Sequence, residues 1–175
     1  MIQSKAELED WYVTGDPWGY VHDPEDTKRK EILLNEIPDQ AFQNVLDIGC
    51  GNGFITQSLP GEMIHGIDLS GNAIAYANRN NQNPKITYEE KDIFELYHTT
   101  QKFDLIVITG VLYSQYIGES SNLIFIIIDR LLQKGGILVA VHIDEWYTCR
   151  FPYNLFKENV YPYKSYFHRL EVYQK

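Results

Sequence analysis

Residues 45–53 read VLDIGCGNG, and this stretch decides the fold. Val45, Leu46 and Ile48 make a short apolar strand that runs into alternating glycines at Gly49, Gly51 and Gly53. Glycine turns tightly and lets the backbone come close to a ligand. A strand ending in such a loop therefore predicts a ligand cradle at the strand's carboxyl end. A dinucleotide fingerprint, G-x-G-x-x-G/A, would need a small residue at position 54. Phe54 stands there instead, and residues 54–56 predict the start of a short helix. Asp47, two residues before Gly49, would repel a pyrophosphate but can hold an ammonium, directly or through water. The loop suits an adenosine-bearing compound that lacks phosphates.

On either side of this loop, short apolar runs alternate with helical stretches. Residues 44–48 predict a first strand, 62–68 a second, 85–90 a third, 103–109 (FDLIVIT) a fourth and 137–142 a fifth. Ser70 is placed to cap a helix over the residues that follow it, and 120–132 predict another, stopped by Gly135 and Gly136. Strand–helix repetition of this kind predicts parallel βαβ units. The fold class is α/β: a Rossmann-like doubly wound sheet, mostly parallel, with an antiparallel closing strand over 165–173. Upstream, helices over 4–13 and 24–36 predict an N-terminal helical cap, with Pro24 in a first turn where its missing N–H costs nothing. The chain reads as one domain, with the cap at 1–40, a ligand-binding core at 41–142 and a closing segment at 143–175.

Two further acids stand at strand ends. Asp68 closes strand two and is placed to accept from both hydroxyls of a ribose. Asp92, in KDIF after strand three, is placed to accept from an exocyclic adenine amine.

Composition bounds the partners. The 175 residues carry 15 Lys and Arg against 24 Asp and Glu, a net charge of −9. That balance argues against nucleic acid or an anionic membrane surface. Apolar runs such as 123–128 (LIFIII) are too short to span a bilayer, and the start MIQSKAELED is too polar and acidic for a signal peptide. Cys50 and Cys149 make neither a disulfide framework nor a metal site. A cytoplasmic monomer or homodimer without metal is the expectation. Aromatic residues gather near both ends, Trp11, Tyr12, Trp18 and Tyr20 early and Trp146 to Tyr173 late, as core and edge filling or as a pocket wall.

These motifs together resemble the class I S-adenosylmethionine-dependent methyltransferases, over roughly residues 40–142. VLDIGCGNG is similar to their first motif, GIDLS to the acidic turn after strand two, KDIF to the adenine-contacting turn and KFDLIVITGVLY to the fourth-strand motif. The resemblance implies S-adenosyl-L-methionine as cofactor, held by Asp47, Gly49, Cys50, Gly51, Asp68, Leu69, Asp92, Ile93 and Thr109. DPWGY and the helix beginning near DPEDTKRK extend the likeness to the small-molecule branch that includes the nodulation-factor N-methyltransferase. By that likeness Trp18 lies near the cofactor, and either Arg29 or Lys28 meets its carboxylate.

Methyl transfer from a sulfonium is an in-line displacement in which the protein aligns the reactants and excludes water. Tyr113 after strand four and His142 at the end of strand five are the candidate catalytic groups, with Asp144 and Glu145 nearby. Methylases of DNA amino groups carry an Asp/Asn-Pro-Pro-aromatic tetrad where this chain has Thr109, Gly110, Val111 and Leu112. A nitrogen or oxygen of a small or saccharide-linked molecule is the expected acceptor. Only 33 residues follow strand five, so the cap and the strand-end loops are left to hold it. The alternatives are a non-catalytic S-adenosylmethionine-binding partner or regulatory subunit, and a nicotinamide oxidoreductase, against which Phe54 argues.

Overall fold

A computed structural model describes residues 4–17, 19–20 and 22–175. After helices α1 (Lys5–Trp11) and α2 (Pro24–Glu36), the chain alternates β1 (Asn44–Ile48), β2 (Met63–Asp68), α3 (Gly71–Asn80), β3 (Ile86–Glu90) and β4 (Phe103–Thr109). Helices α4 (Ser114–Ile117) and α5 (Ser121–Leu131) lead to β5 (Leu132–Ile143), then β6 (Asn154–Tyr163) and β7 (Tyr166–Gln174). One sheet holds all the strands in the order β3-β2-β1-β4-β5-β7-β6. The first five are mutually parallel, and β7 runs antiparallel to both β5 and β6. Strand order reverses between β1 and β4, and ligands of open α/β sheets bind in the crevice at such a point.

The period-two alternation of each strand divides the core into two layers. Leu46 and Ile48 of β1 join Ile106 and Ile108 of β4 beneath Ile124, Ile127 and Ile128 of α5. Val45, Leu105 and Val107 face the other way, toward Leu33 of α2 and Ile74 and Ala77 of α3. The same alternation turns Asp47, two residues past Val45, to the α2/α3 side. Local signals act as expected in the helices: Ser70 Oγ accepts from Ala73 N, and Asp23 caps α2 with Pro24 next in line. Among the described residues no helix is long and apolar enough to cross a membrane.

Two local expectations need correction. No α-helix follows the glycine loop; residues Thr56–Ser58 make a single 3₁₀ turn. Pro60 forces Leu59 into extended backbone (ψ 142°), so there is no room for a longer helix. Helix α5 ends at Leu131, before Gly135 and Gly136, because Leu132 already pairs with Phe103 as strand. Residues 133–136 bulge out with Gly135 at φ 79°, and pairing resumes at Ile137 opposite Leu105. The antiparallel closing strand expected over 165–173 is β7, and β6, which the sequence reading did not expect, pairs with it as a hairpin after residues 144–153.

Candidate cofactor cleft

At the carboxyl ends of β1, β2 and β4 lies a cleft of about 570 Å³. Asp47, Gly49, Cys50, Gly51, Asp68, Leu69, Asp92, Ile93, Thr109 and Arg29 all line it. Lys28 does not, so of the two basic candidates on α2 the fold turns Arg29 inward. Trp18 lies outside the described residues.

The glycine loop is fastened to β2. Gly49 N and Cys50 N both donate to Ile67 O, at 2.9 and 3.0 Å, and Gly51 N donates to Oδ2 of Asp68 at 2.9 Å. Ser70 N donates to the other oxygen of Asp68 at 2.9 Å, so this carboxylate is held at both ends. Burial nonetheless pushes the Asp68 carboxyl above its usual range, against those two bonds. Gly51 has φ 52°, and a Cβ there would sit 2.9 Å from the Tyr12 hydroxyl. The loop is therefore a cradle that a side chain would fill.

Asp47 is 1% exposed. Thr56 Oγ1 donates to its Oδ2 at 2.6 Å, whereas Oδ1 has no hydrogen-bond partner among the described residues. Burial raises its pKa to about 7, the Thr56 bond and the more distant Arg29 charge opposing and Asp68 adding to the rise. A buried carboxylate with a free oxygen calls for a cation or a donor. Asp92 caps the 3₁₀ turn Ile93–His98 by accepting from Phe94 N at 2.9 Å, which brings Ile93 and Phe94 to the cleft wall.

The cap closes the front. Glu9 of α1 accepts from Ser70 Oγ (2.9 Å), Gly71 N (2.6 Å) and Asn72 N (3.0 Å), so one side chain caps the start of α3. Lys5 pairs with Glu90, and Lys5, Leu8 and Tyr12 of this segment reach the cleft. At the other end Tyr20 stacks on Phe54 with ring centres 5.5 Å apart, and Tyr116 completes the wall.

The two candidate catalytic groups stand elsewhere. Neither His142 nor Tyr113 lines the cleft, and both are buried. The Tyr113 hydroxyl accepts from Ile143 N at 2.9 Å, tying the loop after β4 to the end of β5; burial pushes its pKa to about 12. His142 contacts Ile143 O (3.2 Å) and Glu171 (3.5 Å) and lies edge-on to Tyr147, and burial holds its pKa below the usual value. Tyr12, Tyr20 and Tyr116 are aromatic cleft residues that the motifs did not single out, and Phe54, read there only as an argument against a dinucleotide, also lines the cleft. For Tyr12 and Tyr20 the early aromatic cluster was the trace, whereas late members of the aromatic set such as Phe151 and Tyr173 fill the core.

A family model described as "Methyltransferase domain" matches residues 40–169. Nodulation protein S of Rhizobium tropici is 30% identical over 130 residues, 71% of this chain and 53% of that protein. The mitochondrial ubiquinone biosynthesis O-methyltransferase of Candida albicans is 27% identical over 135 residues, 70% of this chain and 40% of that protein. This chain thus spans about half or less of the curated relatives it matches. Among solved structures, the N-methyltransferase NodS from Bradyrhizobium japonicum WM9 in complex with S-adenosyl-L-homocysteine superposes with a TM-score of 0.81 at 24% identity, over 98% of this chain and 97% of that one. Magnesium protoporphyrin IX methyltransferase (ChlM) from Synechocystis PCC 6803 gives 0.75 at 14% identity, over 98% and 99%. With its sheet order, its glycine cradle and a family match over most of its length, the chain belongs to the methyltransferase-domain family and has the Rossmann-like fold of the class I S-adenosylmethionine-dependent methyltransferases.

Proposed function

We propose that this chain transfers a methyl group from S-adenosylmethionine to a nitrogen or oxygen of a small molecule. One observation carries the reading: the buried Asp47 carboxylate, one of whose oxygens has no partner among the described residues, beside a glycine cradle and a second carboxylate at Asp68. A dinucleotide pyrophosphate would meet two acids here, whereas an amino-acid ammonium and a ribose would meet their natural acceptors. When bound, S-adenosylmethionine supplies a methyl on a positively charged sulfur, open to in-line displacement.

The residues then take these parts. Asp47 holds the ammonium and Asp68 the ribose hydroxyls. Asp92, Ile93 and Leu69 flank the base, Cys50 and Gly51 let the backbone close on the nucleoside, and Thr109 marks the start of the acceptor side. Arg29 faces the cofactor's carboxylate, with Trp18 beside it by the likeness to the nodulation branch. Tyr20, Phe54 and Tyr116 form an apolar mouth that excludes water and aligns the acceptor, a contribution of several kcal/mol in well-positioned reactions. Tyr113 and His142 set the β4 and β5 ends behind that mouth; proton transfer by either would require it to leave its present partner. The chain acts as one domain, in the cytoplasm, as a monomer or homodimer, and its charge of −9 favours a small acceptor over nucleic acid.

Calorimetric titration tests the reading. S-adenosylmethionine is expected to bind at micromolar strength, about −8 kcal/mol, with a loss of at least about tenfold in Asp68→Ala and no binding of NADH. A screen of amine and hydroxyl acceptors then follows product by mass. Tight binding with no turnover on any acceptor would favour the regulatory-subunit reading. Absence of binding would sink the cofactor assignment.

A further inference from the structure

Asp26 lies in the first turn of α2 and is 0% exposed, a costly place for a carboxylate unless donors surround it. Tyr163 Oη donates to Oδ1 at 2.6 Å, Lys164 Nζ to Oδ2 at 3.0 Å and Arg29 Nε to Oδ1 at 3.2 Å. Its position suggests a helix cap, yet the capping oxygen belongs to Asp23, which accepts from Glu25 N. Asp26 thus spends both oxygens on side chains, two of them from the end of β6 and the turn that follows it.

That turn is held under strain. Lys164 is the only non-glycine among the described residues at positive φ, 51°, a conformation unfavourable for a residue with a Cβ. Its ammonium bridges Asp26 and, at 3.1 Å, Asp23. Tyr163, next to it, stacks on His168 with ring centres 4.2 Å apart. The guanidinium of Arg29 lies near the rings of Tyr20 (5.3 Å) and Tyr163 (5.5 Å), with Asp26 bonded to Nε and the cleft in front.

We propose that Asp26 is a positioning residue for recognition of the cofactor's carboxylate. Through Nε of Arg29 it fixes the guanidinium in the cleft wall. Through Tyr163 and Lys164 it ties the end of β6 and the turn to β7 to the start of α2, so that the Tyr163 ring backs the Arg29 guanidinium, in a chain with no helix between β5 and β6. This deepens the proposed function and rests on its assignment of Arg29.

Two ligands separate a positioning role from a merely structural one. S-adenosylhomocysteine carries the carboxylate; 5′-methylthioadenosine has the same nucleoside and no carboxylate. In Asp26→Asn, which keeps the shape and removes the charge, S-adenosylhomocysteine is expected to bind about tenfold more weakly, the size of one charge-assisted hydrogen bond. Binding of 5′-methylthioadenosine should stay within about twofold, which also reports that the variant is folded. Unchanged S-adenosylhomocysteine affinity, or equal loss of both ligands by a folded variant, overturns the proposal. Should Asp26→Asn fail to fold, Lys164→Ala decides, because it releases only the turn: selective loss of S-adenosylhomocysteine supports the proposal and its absence overturns it. Wild-type protein that binds neither ligand removes the proposed function and this inference together. Wild-type discrimination with an unaffected Asp26→Asn removes only the inference.

Discussion

Thr56 Oγ1 donates a 2.6 Å hydrogen bond to Oδ2 of Asp47, and the remaining oxygen of that buried carboxylate has no partner among the described residues. The threonine fixes which oxygen is free and keeps the carboxylate from turning away. It does not compensate the burial, so the group holds its proton to about pH 7 instead of 3.8. Between those values the native chain keeps a proton that the unfolded chain has released. This group's stabilisation is therefore present at low pH and is lost as pH rises to about 7.

Comparing melting temperatures at pH 5 and pH 8 in wild type and Asp47→Asn should show that trend only in the difference between them. The subtraction matters, because burial lowers the pKa of His142 and pushes that of His168 down to about 3, and both act with the opposite sign. Binding of a cationic ammonium favours ionised Asp47. Calorimetry in two buffers near pH 6.5 should therefore show proton release on loading wild type and none on loading Asp47→Asn.

Gly51→Ala places a Cβ at φ 52° and 2.9 Å from the Tyr12 hydroxyl. The backbone term, about 1–2 kcal/mol, should lower the melting temperature by a few degrees. S-adenosylhomocysteine affinity should fall by at least about tenfold, since the loop must shift at the site of close approach. Gly135→Ala is the control: φ is 79° there, nothing lies within 4 Å of the added Cβ, and the residue is outside the cleft. It should show the thermal loss without the affinity loss.

Glu9 fastens α1 through three bonds to the first turn of α3. Burial opposes its ionisation, but the bonds from Asn72, Gly71 and Ser70 prevail and hold its pKa below the usual value. Glu9→Ala should remove about 1 kcal/mol, the value of a lost helix cap. Most of that change should appear locally: amide exchange in Lys5–Trp11 speeds up while β1 and β4 stay protected. Equal acceleration in the central strands would contradict a purely local latch.

Tyr113→Phe leaves the buried Ile143 N–H without its acceptor, at a cost of about 1–3 kcal/mol. The expected result is a lower melting temperature with kcat within a few-fold of wild type. A large loss of kcat at unchanged stability would instead make the hydroxyl a catalytic group. His142 is shut away with its pKa lowered by burial, so the pH–rate profile should lack an inflection of its own near 6.5.

Strands were legible where their pattern is local. FDLIVIT is apolar on both faces because β4 is covered on both, and its bounds follow from that run. Residues 54–56 misled because the residues after the glycine loop predict the start of a helix there, whereas Pro60 decides the ending. Leu132 misled for another reason: pairing with Phe103 outweighs the helical pattern that carries the chain toward Gly135.

From sequence alone came the order of the five parallel strands and the closing strand, the family and the acids at three strand ends, because each depends on residue type and short spacing along the chain. Contacts between distant segments were not encoded that way. That Arg29, not Lys28, enters the cleft, that Glu9 caps α3, and that His142 faces Glu171 instead of the cleft follow from packing across 29 to 63 residues of separation or from the rotation of a helix against the sheet. Spacing along a chain brings such groups near one another; only the packed sheet and its cap decide which of them meet.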